Sequence, residues 1–142
     1  MSAADITYAE IEEGSEHAHD YTISEAVYRS FLQGFEDRSP IHVDDDYARA
    51  RGFPQKVMHG AILNGFVSHF VGMRFPGRRA LLMSVDLRYA RPSYLEDRIR
   101  VRATVTQKVD SQSVIVLKLE LENLTRGEVV ARGIAQVRVS TP

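Results

Sequence analysis

Between Phe35 and Asp44 the chain reads Phe-Glu-Asp-Arg-Ser-Pro-Ile-His-Val-Asp, its densest group of side chains able to move a proton. Asp37 and His42 lie five residues apart in it. Pro40 disfavours the α conformation at Ser39 and fixes its own φ, so the spacing predicts a turn, not a helix, that folds both side chains toward one point. A carboxylate beside an imidazole makes an acid/base pair, because the carboxylate orients the ring and imidazole exchanges protons near neutral pH. Downstream, His59-Gly60 stands at the mouth of an apolar helical stretch. The first N–H groups of a helix lack internal partners and glycine leaves them open to a ligand, so Gly60 is a candidate backbone donor to a developing oxyanion. Gly60, Asn64 and Ser68 follow at i, i+4 and i+8, so two polar groups share the glycine's helix face.

Those residues must be held by the elements around them. Ser24 caps a run with an acidic first turn and apolar residues at helical spacing, which predicts a short helix stopping near Gly34. Asp44-Asp45-Asp46 favours the positive end of a second short helix, ending near Gly52-Phe53-Pro54, and the run is not spaced as a cation loop. Gly60 to Met73 is apolar nearly all round and predicts a buried helix, ended by Pro76-Gly77, with Gly65 and Gly72 giving a flat side for a sheet to approach. The period then changes to two. Ile99, Val101, Ala103 and Val105 alternate with polar residues, as do Ile115, Leu117, Leu119 and Leu121, and both runs predict half-buried strands. Residues 81–91 and 129–139 read as two more strands. Short turns at Asp110-Ser111 and Thr125-Arg126-Gly127 make the sheet mainly antiparallel. The expected class is α+β: a long antiparallel sheet wrapped around one central apolar helix.

With 142 residues, 44% hydrophobic and 26% charged, the chain can bury a core and fits a single domain over residues 1–142. A net charge of −1 argues against a nucleic-acid-binding polycation. The sum conceals a gradient, with balances of −10 over residues 1–48, +7 over 49–100 and +2 over 101–142. The basic middle leaves room for a small polyanion, and Arg74, Arg78, Arg79, Arg88 and Arg91 are either a solvated face or partners for phosphates. Absence of cysteine removes disulfides, thiolate metal sites and thiol nucleophiles, and points to a reducing cytosol. No signal-like or membrane-spanning run is seen, so a cytoplasmic protein away from membranes is expected.

Asp37-Arg38-Ser39-Pro40-Ile41-His42 resembles the Asp-x-Asn-Pro-x-His signature of the MaoC-like (R)-specific enoyl-CoA hydratases, which have a hot-dog fold. Tyr47-Ala48, Gly52-Phe53, Val57-Met58-His59-Gly60, Arg91-Pro92 and Asp97 follow in the family's order. The resemblance implies reversible hydration of a trans-2-enoyl-CoA, linked to fatty acid metabolism; no cofactor is expected and no metal is assigned. It implies Asp37 and His42 as the acid/base pair, Gly60 as the donor to the thioester oxygen, and Ser39, His59, Asn64 and Ser68 as substrate-binding positions. It also implies a homodimer, since a second copy would cover the open edge of the sheet. Two departures stand out. Ser39 replaces the family Asn, and Glu96 stands before Asp97 where the family commonly has Gly.

Blander readings accompany these. His59 serves the turn, His69 is a satisfied core or dimer-interface histidine, and Asn64 and Ser68 satisfy neighbours in a buried helix. His17 and His19 share a strand face but make too poor a ligand set for a metal. The same fold hosts thioesterases and acyl-carrier-protein dehydratases, and Ser39 keeps open a non-catalytic acyl-CoA-binding subunit.

Overall fold

The structure is a computed structural model and describes residues 1–141. Five strands form one antiparallel sheet in the order β1-β3-β4-β5-β2: β1 (Glu16–Thr22), β2 (Ala80–Tyr89), β3 (Arg98–Val109), β4 (Val114–Asn123) and β5 (Glu128–Val139). Four helices precede β2: α1 (Glu25–Phe35), α2 (Pro40–Val43), α3 (Asp45–Ala50) and α4 (Ala61–His69). Period-two alternation has the expected outcome. Ile99, Val101, Ala103 and Val105 on β3 and Ile115, Leu117, Leu119 and Leu121 on β4 are buried, and they meet Ile62, Leu63, Phe66, Val67, Phe70 and Val71 from α4 and the turn after it. A sheet curled around one apolar helix is the hot-dog fold. Among the described residues no helix is long and apolar enough to cross a membrane.

The outward face of the sheet engages Arg98 and Arg100, at the end of the basic middle segment, and Arg102 just beyond it. Asp20 pairs with Arg100 at 2.7 Å and Arg98 at 3.5 Å, and Arg102 reaches Glu16 at 3.0 Å and Glu120 at 3.5 Å. Opposite charges directly across strands contribute a few tenths of a kcal/mol each, ~0.2–1. These arginines are therefore engaged by the sheet. Arg79 is likewise held by Asp5 at 2.5 Å.

Helix starts follow the caps read in the sequence. The Ser24 hydroxyl accepts from Val27 N–H at 3.2 Å, and the Asp44 carboxylate accepts from Asp46 and Tyr47 N–H. α1 runs one residue past Gly34, and Glu36 in the left-handed conformation, φ 56°, closes it.

Three expectations are corrected. The segment around Pro40 is not a turn: Pro40–Val43 is a one-turn helix, because proline at the first helical position has its φ pre-set and no N–H to lose. The helix expected over Gly60–Met73 is α-helical only over Ala61–His69, and widens to a π turn over Phe70–Arg74. Gly65 and Gly72 do not admit the sheet, since a Cβ at either would meet nothing within 4 Å. The sheet packs on the opposite face of α4 through large side chains. Close backbone approach occurs at Gly133, where a Cβ would stand 1.7 Å from the Asp86 carbonyl oxygen on β2.

A buried polar knot ties the turn before β3 to the β4–β5 turn. Asp97, 2% exposed, accepts from Tyr94 N–H at 2.9 Å, Asn123 Nδ2 at 2.8 Å and Arg126 Nε at 2.8 Å. Glu96 immediately before it has φ 71°, which explains why a glycine suits the position. Replacing it relieves the left-handed strain of ~1 kcal/mol and gives part back as unfolded-state entropy. Glu96→Gly is therefore expected to raise the thermal midpoint by about 2 °C; a midpoint unchanged or lowered in calorimetry contradicts this.

Candidate active site

The sequence between α1 and α4 folds back on itself so that Asp37, His42 and His59 each bring a nitrogen or carboxylate oxygen within 4.8 Å of the others. Asp37 sits on the link between α1 and α2, and its carboxylate accepts from Ser39 N–H at 3.2 Å. Ser39 is the residue before α2, and its hydroxyl makes no capping bond. It therefore supports Asp37 through its backbone, a contribution that does not depend on the family's Asn side chain. His42 rides on α2. Its Nδ1 lies 2.7 Å from the Val57 carbonyl, which can only accept, so Nδ1 carries a proton and the lone pair of the neutral ring falls on Nε2. Tyr28 of α1 donates its hydroxyl to the His42 carbonyl at 2.5 Å and fixes the helix from below.

His59 is 3% exposed, and its Nε2–H donates to the Asp37 carbonyl at 2.8 Å. Its ring stacks on His42 with centroids 4.0 Å apart and touches Phe31 at 4.5 Å. The buried Nδ1 has no partner among the described residues. Burial pushes the His59 pKa down and the neighbouring His42 ring adds to this, while the bond to the Asp37 carbonyl pulls the other way. A histidine whose folded pKa is depressed takes up a proton more readily when unfolded, so stability falls as pH drops through the unfolded value near 6.5. Burial depresses His17 and His19 in the same direction. The urea midpoint is therefore expected to decline between about pH 7 and pH 5.5, before the carboxylates titrate; a midpoint flat across that window would refute it.

Gly60 is the residue before α4, and neither Gly60 N–H nor Ala61 N–H has an acceptor among the described residues. A Cβ at Gly60 would lie 3.2 Å from the Tyr89 ring of β2. The Tyr89 hydroxyl donates to Asn64 Oδ1, so the base of the helix is pinned to the sheet edge. Two cavities flank this corner. One of about 320 Å³ is lined by His42, His59, Gly60, Leu63, Tyr89 and Arg91. The other, about 930 Å³, is an apolar groove between α1 and α4 lined by Phe31, Phe35, Ile62, Gly65 and Phe66, with Asp37, Asn64 and Ser68 at its polar spots. Asn64 and Ser68 thus face a cavity as the helix spacing implied, while Gly60 opens into the neighbouring one.

All seven candidate positions therefore lie at one end of α4 or along its groove face. His69 does not join them. It does not lie in the core, since it is exposed in the single chain at the far end of α4, and its partner is the Tyr21 hydroxyl at 2.9 Å. Three supporting residues escaped the sequence reading: Tyr28, Val57 through its carbonyl, and Tyr89. Tyr28 carried a signal in its place on the apolar face of α1. The Val57 carbonyl and Tyr89 carried none, since their roles arise from chain segments distant in sequence.

A family model described as "MaoC like domain" matches residues 7–125. An (R)-specific enoyl-CoA hydratase of Rhodospirillum rubrum is 31% identical over 142 residues, covering 98% of this chain and 97% of that protein. Among solved structures, the unliganded R-hydratase from Pseudomonas aeruginosa superposes with a TM-score of 0.89 at 26% identity, covering 99% of this chain and 89% of that one. The (R)-hydratase of Aeromonas caviae, with a TM-score of 0.84 at 22% identity, covers 92% of this chain and 98% of that one.

Proposed function

The chain belongs to the MaoC-like domain family, and on that premise we propose that it is a hydratase that adds water reversibly to a trans-2-enoyl-CoA to give the (R)-3-hydroxyacyl-CoA. The observation that carries the proposal is the meeting of Asp37 and His42 within 4.8 Å of each other, with His42 lining the same cavity as Gly60, whose N–H has no acceptor among the described residues. In this reading the thioester oxygen accepts from Gly60 N–H, which draws electron density toward the carbonyl and leaves C3 open to attack. Asp37 holds a water, and the free Nε2 lone pair of His42 takes one of its protons as the hydroxyl bonds to C3. The C2–C3 π electrons pass to the enolate, whose negative charge rests on the oxygen at Gly60. The proton held by the pair then goes to C2, so water has been added across the double bond and both side chains end in their starting state.

The apolar groove beside Asp37 offers room for the acyl tail, with about 930 Å³ against a tail that adds a methylene at a time. Gly65 faces it, and a side chain there would project into open space. Gly65→Leu is expected to leave crotonyl-CoA turnover within about threefold and to lower kcat/KM for eight-carbon enoyl-CoA by about tenfold or more. Equal effects on both chain lengths would remove the groove from substrate binding. We read the assembly as a homodimer, because β1 and β2 are open edges in the single chain; light scattering giving one chain's mass would refute that.

Loss of enoyl absorbance across a chain-length series of enoyl-CoA substrates tests the central claim. A folded protein that turns over none of them overturns it.

A further inference from the structure

We propose that His59 is a positioning residue for the hydration reaction, a neutral imidazole that sets the distance between the Asp37 carboxylate, the His42 ring and the Gly60 N–H. The inference rests on the hydratase reading above. One residue joins all three groups: its main chain runs directly into Gly60, its Nε2–H holds the Asp37 carbonyl at 2.8 Å, and its ring backs His42 at 4.0 Å with an interplanar angle of 29°.

His59 is not placed to touch the reacting atoms itself. It is 3% exposed, and the nitrogen facing Asp37 is spent on a backbone carbonyl. The link from Glu36 to Ser39 has no regular structure, and its hold on the rest of the site runs largely through that bond. Without the bond the link can drift by an ångström or so, and misplacement on that scale in a reacting array costs on the order of 10²-fold in rate. Neutrality follows from the site's geometry. A proton on Nδ1 would find no acceptor in its buried surroundings and would set a cation against the face of His42.

Three measurements bear on it. His59→Leu keeps an apolar side chain under His42 and removes the donor; it is expected to lower kcat by about tenfold to a hundredfold with KM within about twofold. His59→Gln presents an N–H at similar reach and is expected to restore kcat to within about threefold of the wild type. A His59→Leu protein that folds and keeps its kcat overturns the proposal, and so does a Gln variant as slow as the Leu variant. Nitrogen-15 NMR of the wild-type imidazoles at neutral pH needs no variant: Nε2 protonated and Nδ1 bare is the expected pattern, and the other tautomer or an imidazolium overturns the proposal even if the variants fail to fold. Absence of hydration by the wild type would instead sink the hydratase reading, with the tautomer result still deciding whether His59 holds the Asp37 link.

Discussion

His42→Ala is expected to lower kcat for enoyl-CoA hydration by about 10³-fold, close to 4 kcal/mol of transition-state stabilisation, with a much smaller change in KM. The site's hydrogen bonds dictate the direction. The Val57 carbonyl fixes a proton on Nδ1, so the lone pair of the neutral ring falls on Nε2. In the proposed mechanism, removing the ring would leave the water without its proton acceptor, while the Gly60 N–H and the apolar groove would still bind the thioester. Asp37→Asn is nearly isosteric, keeps an oxygen to accept from Ser39 N–H and removes the charge. It is expected to cost a similar factor. The double variant is expected to lose little beyond the worse single one, because two groups that work as a unit are not additive. Measured kcat within about tenfold of the wild type for either single variant would remove that residue from the acid/base pair. Circular dichroism and the thermal midpoint of both variants, expected close to wild type, separate this from unfolding.

Gly133→Val is expected to be the most damaging single substitution in the sheet, costing ~3 kcal/mol or more and lowering the thermal midpoint by roughly 10 °C. Gly133 pairs with Leu87 in the β2–β5 ladder, and a Cβ there would stand 1.7 Å from the Asp86 carbonyl oxygen and 3.0 Å from the Leu87 Cα. No rotamer can relieve a clash between backbone and Cβ, so the strands must part. β2 is an edge strand paired only to β5 within the chain, and parting them also releases Tyr89, which pins the start of α4. Hydration activity is therefore expected to fall together with stability. Gly34→Ala is the control: nothing lies within 4 Å of a Cβ there, and alanine in place of glycine in a helix is expected to be neutral or stabilising by ~0.5 kcal/mol. A Gly133→Val protein as stable as wild type would mean that the β2–β5 ladder is not paired in this register.

How much of this was legible beforehand depends on the range of the interaction that carries each feature. Caps and periodicity are local. Ser24 and Asp44 announce their helices, and the alternation at Ile99–Val105 and Ile115–Leu121 announces strands whose inward residues are buried. The close grouping of Asp37 and His42, five residues apart, is almost as local. Pro40 shows where local reading misleads, because a proline disfavours the helical conformation in the residue before it and favours a helix start at itself; both hold here, with Ser39 non-helical at ψ 134° and Pro40 opening α2. Gly65, Gly72 and Gly133 show it again. A glycine in a sequence records that a side chain is missing, but whether the space belongs to a neighbouring backbone or to a cavity depends on elements far away in the chain.

Residue order alone settles the architecture and the chemical cast: an apolar helix beside alternating strands, a carboxylate and an imidazole in a short link, and a glycine at a helix mouth. Periodicity, capping and proline geometry act over a few residues, so a reader of the chain can use them directly. The working state of that cast comes from contacts between distant segments. It took the Val57 carbonyl to choose the His42 tautomer, the Asp37 carbonyl to give buried His59 a partner, and Tyr89 from the sheet edge to seat the helix on which Gly60 opens. Each of these contacts joins segments that come together only when the core is buried, and proton position and spacing at a site are set by such contacts rather than by the order of residues.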